Sequence, residues 1–99
     1  MAREGKRIRT EHLEIRVAAS LFRHPRVGLI VPKYGENSVH RNRLKRRLRE
    51  IARRELLPIL PLVDVVIRAR REAYGSSYAT LARELTGASE RLGTLFGAR

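Results

Sequence analysis

Cysteine and tryptophan are absent from this chain, aromatic residues make up only 5% of it, and acidic residues number 10 against 22 lysines and arginines. Without cysteine there is no disulfide scaffold, no thiol nucleophile and no zinc ribbon. The histidines, His12, His24 and His40, are not at ligand spacing, so metal-based catalysis by the protein's own side chains is not expected. No uncharged apolar run approaches the roughly 20 residues that cross a bilayer, and the first residues, Met1 to Arg7, lack the apolar stretch of a signal peptide. A cytoplasmic chain is therefore expected. Phosphate-binding glycine fingerprints, internal repeats and low-complexity stretches are also missing.

What the sequence has in excess is positive charge. A formal net charge of +12 on 99 residues, with a pI near 11.6, surrounds the molecule with positive potential and calls for an extended polyanion as partner. Nucleic acid and an anionic membrane surface both answer to that. Half of the excess sits in Ser38 to Glu55, where eight basic residues stand against Glu50 and Glu55. The length suits one domain with a single core between two layers, and 42% hydrophobic residues can fill it.

Periodicity places the elements. Residues 1–10 read as a poorly ordered basic arm. Leu13, Ile15, Val17 and Ala19 alternate with polar or small neighbours, which predicts a strand over 11–19. Val27, Leu29 and Val31 predict a second strand ending at Pro32, and the short link through His24-Pro25 suggests that the two pair as an antiparallel hairpin. Asn37 and Ser38 offer caps for a helix that ends near Leu56, before Pro58. Residues 62–70, apolar on both sides, suit a central strand, with Arg68 and Arg70 aimed to one side. After a loop, Ser76 or Ser77 caps a last helix with Tyr78, Leu81, Ala82, Leu85, Ala88 and Leu92 at core spacing, Gly93 as C-cap and 94–99 as a tail. The expected class is α+β, a two-layer sandwich of two helices on one small sheet.

At 100° per residue, Leu44, Leu48, Ile51 and Ala52 share one side of the basic helix, while Asn42, Arg46, Arg49 and Arg53 form a ridge on the other, flanked by Arg43, Arg47 and Arg54. Two acids cannot pair eight bases, and like charges four apart, such as Arg43 with Arg47 and Lys45 with Arg49, each cost a helix a few tenths of a kcal/mol. A solvated face would carry that cost for nothing; contact with nucleic acid uses it. Asn42 offers either a local cap or a contact to a sugar hydroxyl. His40 reads as a surface or first-turn histidine rather than a general base, since no second histidine or convergent carboxylate lies near it in sequence. Of the tyrosines that offer rings for stacking on unpaired bases, Tyr78 is expected in the core and Tyr34 is open to either role.

Three runs are specific enough to name a family: Arg-Val-Gly-Leu-Ile-Val-Pro-Lys at 26–33, Ser-Val-His-Arg-Asn-Arg-Leu-Lys-Arg-Arg-Leu-Arg-Glu at 38–50, and Asp-Val-Val-Ile-Arg-Ala-Arg at 64–70. Together they resemble the bacterial ribonuclease P protein subunit over roughly residues 8 to 92. The resemblance implies an endoribonuclease in which an RNA subunit, using Mg2+, removes the 5′ leader of precursor tRNA. The protein is then an accessory with no catalytic or metal-binding residues. It further implies that Arg41, Asn42, Arg43, Lys45, Arg46 and Arg49 contact the catalytic RNA, with Lys33 and Arg70 at further basic positions; Arg53 joins them by helical geometry. A cleft over the sheet would take the single-stranded leader, and the basic helix would lie in a left-handed crossover between parallel strands of a small mixed sheet, against the usual hand.

The chain departs from that family in two places. An extra N-terminal helix usually precedes the first strand, and here only Arg3 to Arg9 do, so one wall of the leader cleft is expected to be shortened. The loop glycine stands at Gly35, with Glu36 in the commoner glycine position. On the residues alone, a structural RNA-binding protein of ribosomal type, or a DNA-binding module with the basic helix in a groove, stands beside the ribonuclease P reading.

Overall fold

A computed structural model describes residues 6–19, 24–59 and 63–96. Strands β1 (Lys6–Arg9), β2 (Leu13–Ala19) and β3 (Arg26–Ile30) precede helix α1 (Ser38–Ile51); strand β4 (Val63–Ala69) and helix α2 (Tyr78–Phe96) follow it. The sheet order is β1-β2-β4-β3, with β1–β2 and β2–β4 antiparallel and β3–β4 parallel. The sheet is therefore mixed, and α1 sits in the crossover between the parallel pair.

One face of the sheet is built by alternate residues lying in register. Ile8, Ile15, Ile67 and Leu29 form one row across all four strands, and Val17, Val65 and Val27 form the next. Leu44, Leu48, Ile51 and Ala52 from α1 and Leu81, Leu85 and Ala88 from α2 meet this face in one core. The stripe read from helical spacing is thus the buried one. Asn37, extended at φ −82°, caps α1 by accepting the His40 N–H at its Oδ1 (2.9 Å). A π turn (Ala52–Leu56) and a 3-10 turn (Leu57–Ile59) continue α1, keeping Ala52 and Leu56 buried while Arg53, Arg54 and Glu55 stay outside. Ser77 caps α2, its hydroxyl accepting the Thr80 N–H.

Several expectations are corrected. The antiparallel hairpin between the second and third strands does not form: β4 stands between them, because the strand that is apolar on successive residues takes the central slot and pairs on both edges. Residues 6–9, read as part of a frayed arm, form edge strand β1, held by pairing with β2 and by burial of Ile8; residues 1–5 lie outside the described residues. Gly93 lies inside α2, which runs to Phe96, so it caps nothing; 97–99 and the Leu92 side chain are likewise outside the described residues. Tyr78, expected in the core, opens α2 with 38% of its surface exposed. The segment after β4 is a 3-10 turn, Arg71–Gly75.

Candidate nucleic-acid interface

The outward side of α1 carries the interface. Asn42, Arg46, Arg49 and Arg53 are all exposed along one ridge, and exposed Val39, an apolar residue 63% accessible, extends it one turn toward the N-terminus. Asn42 is not the cap, since Asn37 has that role. Among the described residues Arg43, Lys45, Arg46 and Arg49 have no acidic partner, whereas Glu50 is shared by Arg53 (3.0 Å) and Arg54 (3.5 Å). Glu50 therefore sits with the later arginines and not with Arg46 or Arg47. The ridge is most strongly uncompensated in its middle.

The flanks differ in chemistry. Toward β3, Lys45, Arg49 and Arg53 rim a groove of about 290 Å³ floored by Val27, Leu29 and Ala52. At the helix start, Arg41 is half-buried and its Nε donates to Val31 O at 2.7 Å, which pins the loop between β3 and α1. Arg41 and Lys33 there share an open cleft of about 630 Å³ with Ile30 and Arg68 of the sheet. Eight of the nine basic and amide residues singled out from sequence thus lie on α1, at its entry or, for Arg53, in the π turn that continues it. Arg70 is the one set apart: its Nη1 donates to Thr10 O and Glu11 O, both at 3.0 Å, holding the β1–β2 turn.

The sheet face turned away from the helices is a second basic surface that sequence reasoning largely missed. Arg7, Arg9, Arg16, Arg26 and Arg68 project there, with Glu14 and Asp64 as the acids. Glu14 pairs with Arg7 (2.8 Å) and Arg16 (3.7 Å), and Asp64 with Arg26 (3.4 Å). The hydrogen bond from Arg7, aided by the charges of Arg7, Arg16 and Arg9 against a smaller effect of burial, holds the Glu14 carboxyl below its ordinary range. Ile30, 43% exposed, gives this face an apolar spot beside Arg68. The signal was present in the alternation of Arg7, Arg9 and Arg16 with apolar residues, but it needed β1 to be recognised as a strand.

Two further constellations complete the picture. In the loop before α1, Tyr34 (φ +51°) and Gly35 (φ +89°) turn the chain through the left-handed region, so the glycine needed there is Gly35 itself. Tyr34 OH donates to Ala69 O (3.2 Å) and Tyr74 OH to Pro32 O (2.6 Å), with the two rings edge-to-face at 6.5 Å. Burial pushes the Tyr74 phenol up, against the pull of Arg41, so it remains a donor. Elsewhere, Glu84 of α2 accepts from Thr10 Oγ, from the His12 N–H (3.2 Å) and from the His12 ring. Glu11, His12 and Glu84 bring ligand-type atoms within 4.8 Å of one another, but the Glu84 oxygens are already engaged, and an imidazole among the donors suits Mg2+ poorly. The sequence could not have shown this group, whose members lie 72 residues apart.

The family model described as ribonuclease P matches residues 1–93. The chain is 42% identical over 84 residues to the ribonuclease P protein component of Syntrophobacter fumaroxidans, covering 84% of this chain and 71% of that one. It is 38% identical over 81 residues to the component of Syntrophus aciditrophicus, covering 82% and 68%. Among solved structures it is similar to the RNase P protein of Thermotoga maritima, with a TM-score of 0.77, 26% identity, and coverage of 89% of this chain and 84% of that chain. A mutant of the Staphylococcus aureus RNase P protein, at 21% identity and a TM-score of 0.76 over 95% of this chain and 76% of that chain, shares the fold. No helix among the described residues is long and apolar enough to cross a membrane.

Proposed function

Because this chain belongs to the ribonuclease P protein family, and so is a protein component of the enzyme that matures tRNA 5′ ends, we propose a division of labour within that enzyme. The partner RNA subunit carries the chemistry with its own Mg2+, and the protein positions RNA and neutralises phosphate charge in the cytoplasm. The α1 ridge, with Lys33 and Arg41 at its entry, faces the catalytic RNA. Arg70, set apart from that ridge, holds the β1–β2 turn. The open sheet face, with Arg68, Arg16 and Ile30, takes the single-stranded leader of precursor tRNA, its arginines on phosphates and its apolar spot against a base. A ribosomal-type structural protein or a DNA-binding module is not favoured, since the relatives are ribonuclease P components.

The observation that carries this reading is the middle of the ridge and its flanks, where Arg43, Lys45, Arg46 and Arg49 stand on a folded helix without acids among the described residues to pair them. A guanidinium bridges phosphate oxygens with two parallel hydrogen bonds, and phosphates are the counter-charge such a face lacks. If about six phosphates are contacted, log affinity falls with log salt at a slope of roughly −4 to −5. The chain carrying Arg46→Ala and Arg49→Ala binds the cognate catalytic RNA more weakly, with a slope shallower by about 1.5, and melts at nearly the unaltered temperature. Unchanged affinity, or loss of the fold, contradicts the assignment.

A further inference from the structure

Between α1 and the Arg71–Gly75 turn lies a pocket of about 420 Å³, on the flank of the helix opposite the β3 groove. Its walls bring together Arg43 and Arg47 from α1, Arg71 and Tyr74 from the turn, and Leu44 as an apolar floor. We propose that this pocket holds one unpaired nucleotide of the bound RNA, the phosphate bridged by the three guanidinium groups and the base laid between Leu44 and Tyr74. The proposal rests on the reading of the chain as an RNA-binding component and adds to it a site off the ridge.

The volume falls in the range of about 300–1,000 Å³ that small-ligand pockets occupy. Arginines converging from two separate elements offer their forks to one anion, and phosphate takes them bidentately. Arg71 is exposed yet held in place: its guanidinium lies over the Tyr34 ring, 5.1 Å from the centroid. That ring is itself fixed by the bond to Ala69 O and by its edge contact with Tyr74. Arg47 spends one donor on Ser76 O, at a long 3.4 Å, and keeps the rest. Glu36 is the one carboxylate among the described lining residues, and it is engaged by His40 Nδ1 at 2.8 Å; against three arginines the wall stays net positive. Tyr74, anchored through its hydroxyl to Pro32 O, gives a pre-set aromatic wall, and stacking on such a wall accepts any base. A helical stretch of RNA presents its phosphates but not its base faces. The combination of anion fork and apolar wall therefore selects a nucleotide that has left the stack.

The test uses the full chain bound to its cognate catalytic RNA, with 4-thiouridine incorporated in the RNA for photo-crosslinking. The wild-type complex crosslinks to the peptide that contains Tyr74. Arg71→Gln lowers affinity about tenfold, the scale of one charged hydrogen-bonding contact, makes the salt slope shallower by about 0.7, and leaves the melting temperature unchanged. Affinity of Arg71→Gln within twofold of wild type, or crosslinks confined to the ridge with none at Tyr74, overturns the pocket while leaving the RNA-binding reading intact. A wild-type chain that does not bind the RNA overturns that underlying reading instead.

Discussion

Glu84 ties α2 to the β1–β2 turn with one carboxylate that accepts from Thr10 and twice from His12. Burial alone would push this carboxyl up, but the bonds from the Thr10 hydroxyl, the His12 ring and the His12 N–H outweigh it and hold it below its ordinary 4.5. A lowered folded-state value means that the stabilisation is complete above the unfolded value and is lost as pH falls through the folded one. Replacing Glu84 with glutamine costs about 1–2 kcal/mol at neutral pH. It also makes the melting temperature less sensitive to acidification below about pH 4.5, where the wild type loses the charged form. Parallel pH curves for the two chains would contradict this. Nothing in the sequence pointed to Glu84, because local patterns cannot join residues separated by the length of the fold. Tyr34 was likewise undecidable until its hydroxyl partner, Ala69 O, was known.

At the level of elements, α1 was the most legible piece, because a 3.6-residue period sorts Leu44, Leu48 and Ile51 from Arg46, Arg49 and Arg53 without any tertiary information. Leu48 is fully buried among both helices and the sheet. Leu48→Ala should therefore lower unfolding free energy by about 2–5 kcal/mol in denaturant titration, while the remaining folded protein keeps its RNA affinity. A loss of affinity without loss of stability would place Leu48 in the interface and reverse the two faces. Strands β2, β3 and β4 were found as segments but not as partners. Alternation marks a half-buried strand, yet says nothing about which neighbour it pairs with, so β4 between β2 and β3 was not foreseen as the breaker of the hairpin. Strand β1 has one buried side chain, Ile8, too little for a period to register. Gly93 carries no stop signal of its own, and α2 runs through it.

For the whole molecule the net charge is +12, and basic side chains of the described residues gather on two faces: the α1 ridge with its flanking pockets, and the open side of the sheet. The core between them is ordinary aliphatic packing, which leaves both faces free for polyanions. The fold class and the helix face could be read from the sequence; the second basic face and the divergence of Arg70 depended on strand order and on a contact across 60 positions. The proposed division of labour has the protein serve an RNA that does the cutting. It is tested most directly by precursor tRNA cleavage with the cognate catalytic RNA at low magnesium, with and without this protein. The protein is expected to restore cleavage that the RNA alone does not sustain under those conditions. No stimulation, together with equal affinity for unrelated RNA, would contradict it.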